Sequence, residues 1–269
     1  MKTESGVSET WVAPKLAILR AGERPDDLAY EKGVVKRFAD IGLNTEVYAF
    51  PEDVSQEDFV AALRKVNADP DIHGILLFRP LPVQIDDKLA ADIIEPAKDV
   101  DGISPLNMAK VFTGDQSGFA PCTAAAVVAI LDHAGIGLRG KRVTIVGRSL
   151  VVGKPLSMLL LGRDATVTLC HSKTLDLPGV CREADILVAC AGQRKMLGAD
   201  CVKPSAIVID VGINVDEDGN LCGDVDFEAV LPLASAITPV PGGVGSVTTS
   251  VLAQHLIWAA KGLSDTVWI

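Results

Sequence analysis

Basic charge is scarce in this 269-residue chain: 25 lysines and arginines stand against 35 aspartates and glutamates, leaving a formal net charge of −10. No basic cluster offsets that balance, which excludes a nucleic-acid-binding surface. No apolar run approaches the ~20 residues that span a bilayer, so no membrane-spanning helix is expected. The six cysteines (122, 170, 181, 190, 201 and 222) form no C-x-x-C pair, and the four histidines are scattered. Neither a disulfide framework nor a zinc site is therefore expected. The cysteines read as small buried residues of a reducing compartment. The opening MKTESGVSETWVAP lacks the basic-then-apolar layout of a signal peptide, which predicts a loose tail over residues 1–13 and a cytoplasmic protein. Repeats of solenoid type and low-complexity segments are also missing.

What is present is an alternation of β-like and helix-like runs. Strands are expected at Leu16–Leu19, Thr45–Phe50 and His73–Phe78, with helices at Leu28–Ile41, Ser55–Asn67 and Lys88–Ile94 between and after them. Ser55 is a suitable cap, and Gln56, Glu57 and Asp58 suit a helix N-terminus. Further strands are expected at Arg142–Val146, Ala165–Leu169, Ile186–Cys190, Ala206–Val211 and Ile237, and further helices at Ala124–Ala134, Pro155–Leu161 and Val247–Lys261. This spacing predicts an α/β protein with a parallel sheet covered on both faces. The Gly- and Ser-rich stretch Thr113–Gly118 before Pro121 marks a domain boundary. It gives one unit of residues 1–120 and a second of residues 121–246, in line with one or two domains for this length.

The most informative stretch is KRVTIVGRSLVVGKP, residues 141–155. A β-branched strand ends on Gly147, and a helix begins beyond Gly153. Strand, tight Gly turn and helix N-terminus form a cradle for a dinucleotide phosphate. The spacing is G-x-S-x-x-x-G rather than G-x-G-x-x-G, a weak match by itself, and an ordinary strand–turn–helix without ligand also fits it. The next strand ends Cys170-His171-Ser172, without the acid that binds a ribose 2′-hydroxyl in NAD sites. With Arg148 in the turn, the residues favour NADP over NAD. The cradle set is Gly147, Arg148, Ser149, Gly153 and Pro155.

Several ordered runs (KDVDG from Lys98, Pro121-Cys122-Thr123, VGRSLVVGKP, TVTLCHSKT, ADILV, IVIDVGIN, GDVDFEAV and ITPVPGGVG) make the chain similar, from about Pro14 to Lys261, to the methylenetetrahydrofolate dehydrogenase/methenyltetrahydrofolate cyclohydrolase family. The resemblance implies a parallel α/β substrate domain and a Rossmann-like NADP domain, with an active-site cleft between them. It implies a last helix, residues 247–269, packing back on the first domain, and a homodimer. NADP is expected at Gly147, Arg148 and Ser149, with Ser172 near the 2′-phosphate and Ile213 near the nicotinamide half. Asp101 is expected to bind the pterin of a tetrahydrofolate one-carbon derivative, since a carboxylate pairs with an amidine edge through two parallel hydrogen bonds. By residue type alone, Asp99 and Asp101 also fit turn formers before Gly102.

Two departures bear on the chemistry. Members of the family that catalyse both reactions carry Tyr-x-x-x-Lys on the first helix and a supporting Gln after the third strand. Here Tyr30 is followed four residues on by Val34, and Phe78 occupies the Gln position. Lys32 is off the Tyr30 face, Arg37 is two turns away, and Arg79 is expected to point away from Phe78. Oxidation of the one-carbon bridge needs positioning above all, whereas hydrolysis needs a proton-shuttling group. The sequence therefore predicts an NADP-dependent dehydrogenase with little or no cyclohydrolase activity. The alternatives are a bifunctional enzyme with a relocated group such as Arg79, or a non-catalytic folate- or nucleotide-binding paralogue. Tyr30 and Asp101 are the candidate catalytic residues. Tyr30, Val34, Phe78, Asp101, Pro241, Gly242 and Gly243 are the candidate substrate contacts. Ser246-Val247 stands where the family usually has Pro-Met.

Overall fold

The computed structural model describes residues 13–262; residues 1–12 of the expected tail and the expectation of helix over 263–269 lie outside the described residues. The first unit runs β1 (Lys15–Ala21), α1 (Pro25–Asp40), β2 (Asn44–Phe50), α2 (Gln56–Ala68), β3 (Gly74–Leu77), α3 (Asp87–Ile93) and α4 (Pro105–Thr113), and α5 (Cys122–His133) opens the second. Ser55 caps α2 by accepting from the Asp58 N–H at 3.0 Å, as its position before an acidic first turn predicts. The second unit continues with β4 (Arg142–Val146), α6 (Gly153–Leu161), β5 (Thr166–Cys170), α7 (Leu177–Arg182), β6 (Ile186–Ala189), β7 (Ile207–Asp210), β8 (Asn214–Val215), β9 (Leu221–Cys222), α8 (Phe227–Val230) and β10 (Ala236–Ile237), and α9 (Val244–Ala260) follows it.

There are two separate parallel sheets, of order β2-β1-β3 and β10-β7-β6-β4-β5, besides a β8–β9 hairpin. Side chains alternate across a strand, and here the alternation sorts residues between three cores. Ala17 and Leu19 point into an outer core with α2 and α3 residues. Val146, Leu187 and Val208 point into a second outer core. Leu16, Ile18, Ile145, Val188 and Ile209 all meet in a central core that α1, α5, α6 and α9 fill. That central core joins the two sheets.

The last helix closes this layer. α9 packs along α5 and reaches α1 and β3, where Leu256 and Val100 lie so near Gly74 that a Cβ there would be about 2.8 Å from each. Several boundaries differ from the sequence reading. α9 begins at Val244, so Gly245 and Ser246 belong to its first turn rather than to a loop, and α6 begins at Gly153. α4, α7, α8 and the β8–β9 hairpin were not anticipated; α4 carries the ordinary signals of a Ser104 cap, Pro105 and a left-handed Gly114. Among the described residues no helix is long and apolar enough to cross a membrane.

Candidate active site

A cavity of about 790 Å³ opens between the two units, walled by α1, the segment after β3, Asp101, the segment after β7 and the Pro239–Thr249 stretch. Of the expected substrate contacts, Tyr30, Phe78, Asp101, Pro241, Gly242 and Gly243 line it. The Tyr30 and Phe78 rings meet at 5.6 Å between centroids, tilted by 37°. Packing around the Tyr30 hydroxyl and the nearby Asp101 charge raise its pKa, so it remains a neutral donor or acceptor.

Two expectations are corrected. Val34 does not line the cavity: it has no exposed surface and packs in the central core, while Gly33 and Arg37 present themselves on the cavity side of α1. Arg79 does line the cavity together with Phe78. β3 ends at Leu77, so strand alternation no longer governs the two side chains that follow.

Asp99 and Asp101 are both more than turn formers. Asp99 is wholly buried. Its carboxylate accepts from the N–H groups of Ile103 (2.9 Å) and Ser104 (2.7 Å) and from the Asn107 amide (2.9 Å), folding the loop back on itself. Gly102, at φ +65°, crosses so close to Phe119, Ala120 and Pro121 that a Cβ would strike their backbone. Asp101 is thereby left at the cavity wall. Desolvation and the charge of Asp99 raise its pKa to about 6, against the lowering effect of Arg79 and of the Cys122 N–H.

The cradle residues lie outside this cavity, at the carboxyl ends of β4 and β5. The order of the larger sheet reverses beside β4, between β4 and β6, the usual place for a nucleotide in such sheets. A side chain at Gly147 would collide with the Cys190 carbonyl, and one at Gly153 with the Gly147 carbonyl. Ser149 organises the turn, its hydroxyl accepting from Val152 N–H (3.1 Å) and its carbonyl from Lys154 N–H (3.1 Å). Pro155 is buried in the first turn of α6, whereas Arg148 and Ser172 are exposed. Val146 pairs with Cys170 across the sheet, so Arg148 and Ser172, each two residues further on, emerge from neighbouring strand ends. With no carboxylate at the end of β5, these residues fit a phosphorylated ribose. Ile213 is the member of the cofactor set that reaches the cavity.

Sequence reasoning quoted the IVIDVGIN and GDVDFEAV runs without seeing what joins them. Buried Asp210 accepts from the N–H groups of Gly212, Asp224 and Val225 (2.9–3.0 Å). Buried Asp224 accepts from Ala191, Gly192 and Gln193 N–H (2.6–2.9 Å) and from the Asn214 amide (2.9 Å). Together they tie the loops after β6 and β7 into one ledge between cradle and cavity. The signal was an acid within two residues of a glycine in each run: a Cβ at Gly212 or Gly223 would collide with the carboxylate of the other run.

Comparison with known proteins places these features. Residues 1–101 match the family model of the tetrahydrofolate dehydrogenase/cyclohydrolase catalytic domain, and residues 121–264 match the NAD(P)-binding domain of the same family. The bifunctional protein FolD of Clostridioides difficile is 57% identical over 93% of this chain and 87% of its own. The crystal structure of the bifunctional FolD methylenetetrahydrofolate dehydrogenase/cyclohydrolase of Campylobacter jejuni superposes with a TM-score of 0.91, at 40% identity over 93% of this chain and 89% of that one. The dehydrogenase-cyclohydrolase of Trypanosoma brucei, complexed with NADP and an inhibitor, gives 0.88 at 36% identity over 93% and 87%.

Proposed function

The chain belongs to the tetrahydrofolate dehydrogenase/cyclohydrolase family, and from that membership we propose that it oxidises 5,10-methylenetetrahydrofolate to the methenyl form with NADP and adds little or no hydrolysis. Residues 1–120 hold the folate in this reading and residues 121–246 the dinucleotide. Asp101 accepts two parallel hydrogen bonds from the pterin amidine edge. Tyr30 and Phe78 give the aromatic wall against which the substrate lies, and Pro241–Gly243 forms a further side. NADP, when bound, supplies the hydride acceptor. Loss of hydride from the bridge carbon leaves a cation that the flanking nitrogens stabilise, so the protein's task there is orientation and needs no general base.

The observation that carries the second half is the lining itself. Among the described residues no lysine lines the cavity; the position four after Tyr30 is Val34, sealed in the core, and Phe78 packs on Tyr30. Opening the methenyl ring requires activated water and a proton relay, which valine and phenylalanine cannot supply. A second reading, a bifunctional enzyme, is favoured by Arg37 and Arg79 in the lining and by relatives named as bifunctional. One incubation separates the two. With methylenetetrahydrofolate and NADP, NADPH and methenyl product should rise together while formyl product stays at the no-enzyme background. Formyl product above background would favour the second reading, with Arg79→Ala as the next variant; absence of NADPH would remove both.

A further inference from the structure

His255 lies on α9, at the fourth turn, in a stretch whose neighbours are almost all apolar. It is 4% exposed and lies between Phe119 (5.1 Å between ring centroids, tilted by 44°) and Trp258 (5.6 Å, stacked). Its Nδ1 is 2.8 Å from the Val100 carbonyl oxygen. A carbonyl only accepts, so Nδ1 carries the proton, and burial lowers the ring's pKa to about 4, which leaves the neutral tautomer with Nε2 bare. The Cys122 thiol donates to the same oxygen at 3.2 Å and is 3.6 Å from Nδ1. One carbonyl thus has a donor from α5 and another from α9.

That carbonyl shares a rigid plane with the N–H of Asp101. Fixing its oxygen therefore fixes the direction in which the Asp101 chain leaves the peptide. The opposite side of the residue is already held by Gly102 against the Phe119–Pro121 backbone and by the Asp99 turn. We propose that His255 is a positioning residue for Asp101: with the Cys122 thiol it clamps the Val100 carbonyl and so aims the neighbouring carboxylate into the cavity. The assignment rests on the reading of Asp101 as the pterin-binding acid. It also gives α9 two duties, since its first turns line the cavity at Val244 and Thr248 and its fourth turn holds the acid from about 10 Å beyond Thr248 along the axis.

The test is a set of variants in the full-length dehydrogenase. His255→Phe keeps the stacking and removes the donor. It should raise KM for methylenetetrahydrofolate about tenfold, the worth of roughly one buried hydrogen bond, with kcat and the NADPH dissociation constant little changed. His255→Asn places an amide nitrogen at the same δ position and should recover most of the loss. In an Asp101→Asn background, His255→Phe should add nothing further. If His255→Phe gives no soluble protein, His255→Gln, whose amide is one bond further out, takes its place with the same expected rise.

An unchanged KM in His255→Phe, an Asn variant no better than Phe, or additive effects with Asp101→Asn would each overturn the proposal. If Asp101→Asn alone keeps the parent KM, the reading of Asp101 fails and takes this one with it. If Asp101→Asn raises KM and His255→Phe does not, the role of His255 alone is lost.

Discussion

Asp99 and Asp101 share one loop, and their surroundings give them different tasks. Asp99 spends its lone pairs on backbone and amide donors; Asp101 keeps part of its surface at the cavity and, with its pKa raised to about 6, holds its proton there rather than near 3.8. The ionised form is the one that accepts two hydrogen bonds, so it appears as pH rises through about 6 and vanishes below. The kcat/KM for methylenetetrahydrofolate should therefore drop about tenfold for each pH unit below that point, and Asp101→Asn should lose that limb. A parent profile that stays flat to about pH 5 would count against Asp101 as the binding group. At this scale, residue type together with the family resemblance made Tyr30, Phe78 and Asp101 legible. Val34 misled because helical spacing gives an angle but not a depth: it is near the Tyr30 face, yet the cavity lies on the Gly33 and Arg37 side. His255 left no trace, because its partner is a backbone oxygen 155 positions away.

Among the elements, the ledge after β6 and β7 shows how a loop can be made as stiff as a strand. Asp224 takes four donors from two segments and Asp210 takes three. Asp224→Asn turns an NH₂ toward N–H groups that need an acceptor, at a cost of about 2–4 kcal/mol. It should weaken NADPH binding more than folate binding, since Ile213 stands on this ledge; titrations of each ligand, together with the melting temperature, would check it. Equal loss for both ligands, or none, would mean the ledge does not serve the cofactor side. The long elements were legible because β1, β4 and β6 are unbroken apolar or β-branched runs and α2 announces its cap. The two-residue strands β8 and β9 were not, since their existence depends on partners rather than on local preference; β10, equally short, was expected at Ile237. The start of α9 was misplaced for a related reason: Gly243 and Gly245 look like loop, yet helix is tolerated at Gly245 where Val244 is buried beside it.

For the whole molecule, the central core decides how the two units respond to stress. Leu16 and Ile18 of the small sheet and Ile145 and Ile209 of the large one belong to one contiguous apolar layer. Unfolding of either unit would expose the other's inner face. Calorimetry should therefore give a single transition with equal calorimetric and van't Hoff enthalpies, and two separated transitions would show that the shared layer does not couple them. The α/β class was readable from the spacing of strands, and two units from the Gly- and Ser-rich stretch before Pro121 and the family resemblance; the spacing suggested one parallel sheet where there are two, and the shared layer was not legible, because it joins residues from opposite ends of the described chain. The seal that α9 makes over β3 at Gly74 and Leu256 also has a consequence for synthesis. A ribosome delivers α9 after every other described element, so the β3 side of the small sheet's inner face waits without its last cover for roughly 10–40 seconds at ordinary elongation rates. During that interval the nascent chain is a substrate for chaperones, and the first unit becomes a finished object when the last helix arrives.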